Sequence, residues 1–299
     1  MRPHLLILTL LAGCGQGELP PREFDGVAAH RYVAAQLAFG PRIPGSEGHR
    51  LMAAWLDSLL RQRADTVVTQ RWTHVTRSGD SLPQVNFIAR FNPAAPTRLL
   101  FLAHWDTRPR ADGFGSRDSA APVPGANDGA SGVAVLLGMA DALKQAPPAI
   151  GVDLLFVDGE DYGDFNQDVD VLIGSRYYAQ NQLPGPAPRF AVLFDMVGDK
   201  DLRIVPEGYS QTAAADVVEL VWETARRIGH GGVFVLDGDG PGPLTDDHVP
   251  LQQAGIRAID VIDFTFQWHH TPDDTLDKVS AQSLQVVGDV GLALVRRKW

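Results

Sequence analysis

Apolar and polar positions follow two different periods along the chain. Apolar runs and two-residue alternation predict strands, which are DTVVTQRWTHV, QVNFIARF, TRLLFLAHWDT, GVDLLFVDG, RFAVLFDMVG and IRAIDVIDF. Apolar residues that recur every three or four positions predict helices, which are DGVAAHRYVAAQLAFG, HRLMAAWLDSLLRQRA with Ser46 as its N-cap, GASGVAVLLGMADALKQ, GSRYYAQN, TAAADVVELVWETARRIG, DDHVPLQQAG and SAQSLQVVGDVGLALVRR. After an opening hairpin, strands alternate with helices. This order predicts an α/β fold, a three-layer αβα sandwich around a mostly parallel mixed sheet.

The first residues of the chain follow neither period. A basic start and a short apolar core precede Leu11-Ala12-Gly13-Cys14, and the apolar stretch is too short to span a bilayer as a helix. The LAGC ending resembles a bacterial lipobox, in which the cysteine becomes the lipidated first residue of the mature chain. We therefore expect a lipoprotein signal peptide over residues 1–13, a tether over 14–24 and a single catalytic domain over 25–299. Lipidated at Cys14, the protein would be extracytoplasmic and membrane-anchored, on the periplasmic side or the cell surface.

The composition narrows the classes of function. The chain has 299 residues, a net charge of −10 and no run of Lys and Arg, which argues against a nucleic-acid partner. Cys14 is the only cysteine, which excludes an internal disulfide and a cysteine-rich metal site.

Acids and histidines follow the predicted core strands, at or just after the point where each strand ends. They are His104 and Asp106, Asp128 in the next helix entry, Glu160 and Asp161, Asp195, then Asp246, Asp247 and His248, and finally His269, His270, Asp273 and Asp274. The carboxyl ends of parallel strands meet at one edge of a sheet, where ligands bind. The shared edge therefore predicts a metal centre.

The adjacent acids Glu160 and Asp161 fit such a centre. Carboxylates and imidazoles without thiolates suit zinc, or a related ion, with an open coordination position. A cation that binds one carboxylate cancels the repulsion between the pair, and the other carboxylate can then move protons on the open side. We expect Asp161 to bind the metal and Glu160 to act as general acid and base.

The order of the motifs resembles a known superfamily. LAFGPRIPGSEGH, AHWDTRPRAD, PGANDGASGVAVLL, FVDGEDYG, IGSRYYA, LFDMVGD, TDDHVPLQQAGI and HTPDDTLD follow the order of the zinc-dependent aminopeptidases, whose fold is phosphorylase/hydrolase-like. Within them the chain is most similar to animal-type glutaminyl-peptide cyclotransferases and their bacterial relatives. TDDHVP is the discriminating motif, since the cyclases have a pair of acids where the peptidases tend to have Ser-Asp-His.

The resemblance implies a role for each matching residue. It implies one catalytic zinc bound by Asp128, Asp161 and His270, with Glu160 as the proton-transfer acid. Asp195 and Asp246 match two carboxyl groups hydrogen-bonded with that acid. His104 matches a histidine that binds a second zinc, together with Asp195, in the peptidases and is left free in the cyclases.

The chain departs from the family pattern in several places. Asp161 is one methylene shorter than the glutamate of the animal cyclases. WHHT replaces WHT, so His269 could replace His270 as the ligand, although HTPDDT favours His270. The tryptophan that follows the acid pair in animal cyclases is absent, and Phe165 is its expected substitute. Trp268 and Phe266 are the candidates for substrate-binding walls.

The implied reaction converts an N-terminal glutaminyl residue of a peptide or protein to pyroglutamate and releases ammonia. Crowding with Asp195 and Asp246 would raise the pKa of Glu160 so that it can carry a proton at neutral pH. The alternative is a secreted di-zinc aminopeptidase that uses His104, Asp128, Asp161, Asp195 and His270, with Glu160 activating water. A lipid-anchored binding module without activity is a third reading, which the intact metal and proton-transfer sets disfavour.

Overall fold

A mixed sheet lies at the centre of the computed structural model, which describes residues 23–299. Cys14, the predicted signal peptide and most of the tether lie outside the described residues. The strands are β1 (Thr66–Val75), β2 (Ser81–Phe91), β3 (Arg98–His104), β4 (Gly151–Val157), β5 (Ala191–Asp195) and β6 (Ala258–Ile262), in the order β1-β2-β4-β3-β5-β6. Strands β4, β3, β5 and β6 run parallel, whereas the hairpin of β1 and β2 joins antiparallel to β4. The predicted mostly parallel mixed sheet is confirmed.

The helices are α1 (Gly26–Leu37), α2 (Glu47–Arg61), α3 (Ala130–Gln145), α4 (Ile173–Gln180), α5 (Gly208–Ala213), α6 (Ala215–Arg227), α7 (His248–Gln253) and α8 (Ala281–Arg296). Ser46 caps α2 as predicted, since its side chain accepts the N–H of His49. The helix predicted over residues 212–229 is confirmed as α6 over Ala215–Arg227, but Thr212 and Ala213 belong to the separate helix α5. The helical conformation is interrupted at Ala214, which has φ −148° and ψ 46°. Glu207 caps α5 by accepting the N–H groups of Tyr209 and Ser210.

Two hydrophobic layers sandwich the sheet. On β3, Leu99, Phe101 and Ala103 face the core shared with α1, α2, α3, α6 and α8, while Leu100 and Leu102 face the core shared with α4 and α7. A parallel strand buried on both faces reads as a continuous apolar run, which is why the sequence shows no alternation here. This packing is the three-layer sandwich, and it directs the ends of β3, β4, β5 and β6 to one edge.

Candidate metal centre and active site

The carboxyl edge of the sheet collects the predicted site residues. His104 and Asp195 are the last residues of β3 and β5, Glu160 and Asp161 follow β4, and Asp246 precedes α7. The loops before α3 and after β6 bring Asp128, His269 and His270 to the same place. The metal and acid sets predicted from sequence therefore meet in one cluster, and its carboxylates are at most 8% exposed.

Asp106 explains how two adjacent acids are held at the end of a buried strand. Its carboxylate accepts the backbone N–H of Glu160 at 3.1 Å and that of Asp161 at 3.2 Å. The loop is thus fixed through its backbone, which leaves both acidic side chains to project into the site.

Asp274 holds the loop that carries Asp128 in a similar way. It accepts the N–H of Asn127 at 2.8 Å and of Asp128 at 3.1 Å. The next residue, Gly129, has φ +76°, and a Cβ there would lie 2.9 Å from the carbonyl oxygen of Asp106. Only glycine adopts this turn without strain, so the sequence NDG is required to aim Asp128 at the site.

The three residues expected to bind one metal lie close together. His270 Nε2 is 3.6 Å from Asp128 Oδ2 and 3.2 Å from Asp161 Oδ1. Asp128 Oδ2 and Asp161 Oδ2 are buried and have no hydrogen-bond partner within residues 23–299. Buried carboxylate oxygens without donors are costly unless a cation binds them, so these acids fit a metal site. The ligand atoms of Asp128, His269 and His270 lie close enough together to hold one ion, and the inclusion of Asp161 stays a prediction.

Both histidines of the WHHT motif reach this set. His269 Nε2 is 3.9 Å from Asp128 Oδ2, and its side chain is 31% exposed, against 15% for His270. His270 also adopts φ +54°, a left-handed conformation that costs a non-glycine residue roughly 1–3 kcal/mol. The choice of His270 as the ligand stays a prediction, and its proximity to two acids favours it.

His104 lies between two acids. Its Nε2 is 3.1 Å from Asp128 Oδ1 and 3.2 Å from Asp195 Oδ1, and these three residues could also hold an ion. Burial alone would lower the pKa of His104, but its hydrogen bonds with Asp106, Asp128 and Asp195 outweigh burial and raise the pKa well above its usual value. The imidazole can therefore bridge Asp128 and Asp195 in the absence of a second cation.

A cavity of about 300 Å³ opens next to the cluster. Its acidic lining comprises Asp128, Glu160, Asp195 and Asp246, and its apolar lining comprises Phe165, Met196, Leu244, Ile262 and Phe264. Phe165, the expected substitute for the missing tryptophan, is among these lining residues, and its role as that substitute stays a prediction.

The two other aromatic residues predicted as substrate walls are not among the described residues that line this cavity. Phe266 packs against Met196 and Ile262, and Lys278 Nζ lies 4.8 Å from the ring centroid of Trp268. A substrate contact for either residue stays a prediction.

The carboxyl groups on the acidic side of the cavity include two with raised pKa values. Burial is the main cause that raises the pKa of Glu160 well above its usual value, with repulsion from Asp161, Asp246 and Asp247 adding to it. Burial and the charge of Asp195 raise the pKa of Asp246 to about 7. A carboxyl group with a pKa near 7, such as that of Asp246, can take up and release a proton near neutral pH.

Sequence reasoning missed Asp260 as a member of the acid group. Asp260 is fully buried in β6, and its carboxyl group interacts with that of Asp246. Both of its oxygens lack a donor among residues 23–299. An acid inside the apolar strand IRAIDVIDF was the available signal, because a buried strand rarely carries an acid without a polar partner.

A buried set of carboxylates and imidazoles at the carboxyl edge of a parallel sheet defines a metal-dependent α/β enzyme. The sequence profile of peptidase family M28 matches residues 86–295. The chain belongs to peptidase family M28, and the predicted membership of the zinc aminopeptidase superfamily is confirmed.

Individual relatives point to two activities. Aminopeptidase YwaD of Bacillus subtilis (strain 168) is 31% identical over 190 residues, which are 60% of this chain and only 38% of that protein. The glutaminyl-peptide cyclotransferase-like protein of Mus musculus is 28% identical over 286 residues, which are 87% of this chain and 71% of that protein. The crystal structure of Porphyromonas gingivalis glutaminyl cyclase superposes with a TM-score of 0.86 at 36% identity, covering 91% of this chain and 97% of that one.

The metal-free protein is expected to lose stability as the pH rises from about 4 to about 8. The pKa of Asp246 is raised from 3.8 to about 7 and that of Asp274 to about 8, chiefly by burial, so the folded state binds more protons than the unfolded state in this range. Their stabilising contribution is complete below about pH 4 and is lost as the pH passes 7 to 8. His269, whose pKa burial lowers to about 4, acts in the opposite direction but is a single group.

Melting temperatures of chelator-treated and zinc-loaded protein between pH 5 and pH 8 test this expectation. Zinc replaces the protons as the counter-charge, so the loaded protein should show the weaker pH dependence and the higher melting temperature. A metal-free melting temperature that rises over this range would contradict it.

Proposed function

We propose that residues 25–299 form a single catalytic domain, a zinc-dependent glutaminyl-peptide cyclotransferase. Its substrates would be peptides or proteins with an N-terminal glutaminyl residue, which it converts to pyroglutamate with release of ammonia. The comparisons alone do not decide the activity, because relatives of both kinds match the chain. The proposal rests on the composition of the site.

One zinc ion per chain would be held by Asp128, Asp161 and His270. When bound, zinc would act as a Lewis acid on the side-chain amide carbonyl of the substrate. The unpartnered oxygens of Asp128 and Asp161 support this assignment. The single ion stays a prediction, because His104, Asp128 and Asp195 could hold a second one.

Glu160 is the proposed proton carrier. The attacking group is the substrate's own α-amine, so the reaction needs no water but does need a group that takes the amine proton and gives it to the departing nitrogen. Glu160 lines the cavity, is 6% exposed and has a pKa raised by burial and by neighbouring acids. It can therefore act first as a base and then as an acid.

The observation that carries the proposal is that Asp246 lines the same cavity as Glu160 and Asp195. A third carboxyl group beside the proton carrier has no evident use in water activation between two metals. In cyclisation it raises the pKa of Glu160 and shares its proton. The apolar residues Phe165, Met196 and Leu244 would pack against the glutaminyl methylenes and keep water from the reacting carbonyl.

A di-zinc aminopeptidase is the second candidate, and the cluster of His104, Asp128 and Asp195 is the observation that favours it. In that case Glu160 would activate water, and two ions would bind per chain.

Incubation of the purified protein with Gln-initiated and Leu-initiated peptides, followed by mass spectrometry, tests the two activities. Loss of ammonia from the first peptide is the expected result. Release of free leucine from the second, together with two zinc ions per chain by elemental analysis, would replace the proposal with the peptidase.

Cys14→Ser is expected to move the protein from the membrane fraction to the soluble fraction without changing its catalytic rate. The LAGC sequence that ends at Cys14 resembles a lipobox, so we propose that a lipid on Cys14 carries the membrane attachment. Among residues 23–299 no helix is long and apolar enough to cross a bilayer. Fractionation of cells that express each form, followed by immunoblotting, measures the change. Equal membrane association of the two forms would refute the anchor and, with it, the extracytoplasmic lipoprotein assignment.

A further inference from the structure

We propose that Arg108 and Asp112 are positioning residues that lock the two proposed zinc ligands Asp161 and His270 into one unit. The proposal rests on the zinc site of the proposed function but not on the reaction that the site performs. Arg108 lies in the segment AHWDTRPRAD, four residues after the end of β3, and is only 5% exposed.

Arg108 contacts Asp161 twice. Its Nη1 donates to Asp161 Oδ1 at 2.7 Å and to the Asp161 carbonyl oxygen at 3.2 Å. A single guanidinium nitrogen thus fixes both the backbone and the carboxylate rotamer, while Asp161 Oδ2 stays free of hydrogen bonds within the described chain. The side chain of Asp161 is one methylene shorter than that of glutamate. A small change in its orientation would therefore move its carboxylate out of reach of the proposed zinc ion.

The rest of the guanidinium binds Asp112 in a two-pronged pair. Arg108 Nε donates to Asp112 Oδ1 and Nη2 donates to Asp112 Oδ2, each at 2.6 Å. Asp112 Oδ1 in turn lies 3.4 Å from Nδ1 of His270. A carboxylate on the ring nitrogen opposite the metal fixes the tautomer and the ring plane of a ligating histidine.

The result is a continuous chain of contacts from Asp161 through Arg108 and Asp112 to His270. A lone arginine beside a metal ligand would repel the cation, which opposes binding. Here the pair of Arg108 and Asp112 is neutral overall, so its geometric effect outweighs its charge. The guanidinium carbon also lies 5.8 Å from the ring centroid of Phe165, which connects the same unit to the cavity wall.

The test measures zinc affinity by chelator competition and the visible spectrum of the cobalt-substituted protein. Arg108→Gln and Asp112→Ala are each expected to weaken zinc binding about 10- to 100-fold, the usual effect of losing an outer partner of a metal ligand. The cobalt bands should shift, because the ligand geometry changes. Asp112→Asn should recover part of the affinity, since its amide oxygen still accepts from His270 Nδ1.

Arg63→Gln is the matched control, because Arg63 makes a similar pair with Asp141, near the far end of α3. Wild-type zinc affinity and an unshifted cobalt spectrum in both Arg108→Gln and Asp112→Ala would overturn the proposal, as would an equal loss in the control. If Arg108→Gln fails to fold, the Asp112 variants decide, because the Asp112 side chain is 44% exposed and its replacement disturbs little packing. Weakened zinc binding in a protein without cyclase activity would leave the positioning role intact and refute only the proposed function.

Discussion

Glu160→Gln is expected to retain its zinc and to cyclise N-terminal glutamine at least about 10²-fold more slowly than the parent. Glutamine has nearly the same shape, but it can neither accept the amine proton nor return one to the leaving nitrogen. The backbone N–H of residue 160 still binds Asp106, so the loop should keep its position. The loss should therefore appear in kcat rather than in folding.

Asp161→Asn is the partner variant for this experiment, since the two acids are adjacent and only one is assigned to the metal. Elemental analysis after dialysis should find zinc in Glu160→Gln and a deficit in Asp161→Asn. Steady-state rates with a Gln-initiated peptide complete the comparison. Zinc lost from Glu160→Gln and kept by Asp161→Asn would show that the two roles are exchanged.

Asp246→Asn is expected to lower the cyclisation rate roughly 10²-fold and to move the acidic limb of the pH profile to lower pH. Asparagine keeps the shape of the side chain but removes a charge that raises the pKa of Glu160. Glu160 then loses its proton at lower pH and becomes a weaker base. Zinc content should not change, because Asp246 is not assigned to the metal.

Asp273→Asn is the control for this variant, because Asp273 is an exposed acid in the same HTPDDT segment as His270. A purely structural role for Asp246 predicts a different outcome. Its Oδ1 accepts the N–H of Asp247 at the start of α7, and an asparagine oxygen would accept it equally well. A wild-type rate with an unmoved pH profile would support that role and remove the main argument for cyclase over peptidase.

The sheet and the location of the site were predictable because both depend on regular features of the sequence. Apolar runs marked β3 to β6, and the rule that parallel strands end at one edge placed His104, Glu160 and Asp195 together. The break at Ala214 was not predictable, since three alanines in a row carry no signal against a helix.

The supporting contacts of the site were not predictable either. Asp106 and Asp274 accept hydrogen bonds from backbone N–H groups that are far away in sequence. The pattern of apolar and polar residues does not predict which acid binds which loop. In the sequence, Arg108 is one of several charged residues in a polar loop, and nothing there distinguishes it from the others. Its burial follows from the packing of that loop against Asp161, which only the folded chain defines.

The strand order has a consequence for how the protein is made. Strand β3 lies between β4 and β5, both synthesised after it, and the loop after β6 supplies His270 last. Every pairing in the parallel half of the sheet joins segments distant in sequence, a topology that folds slowly. The proposed metal site is therefore complete only once β6 has joined the sheet and the loop after it has packed against the ends of the other parallel strands.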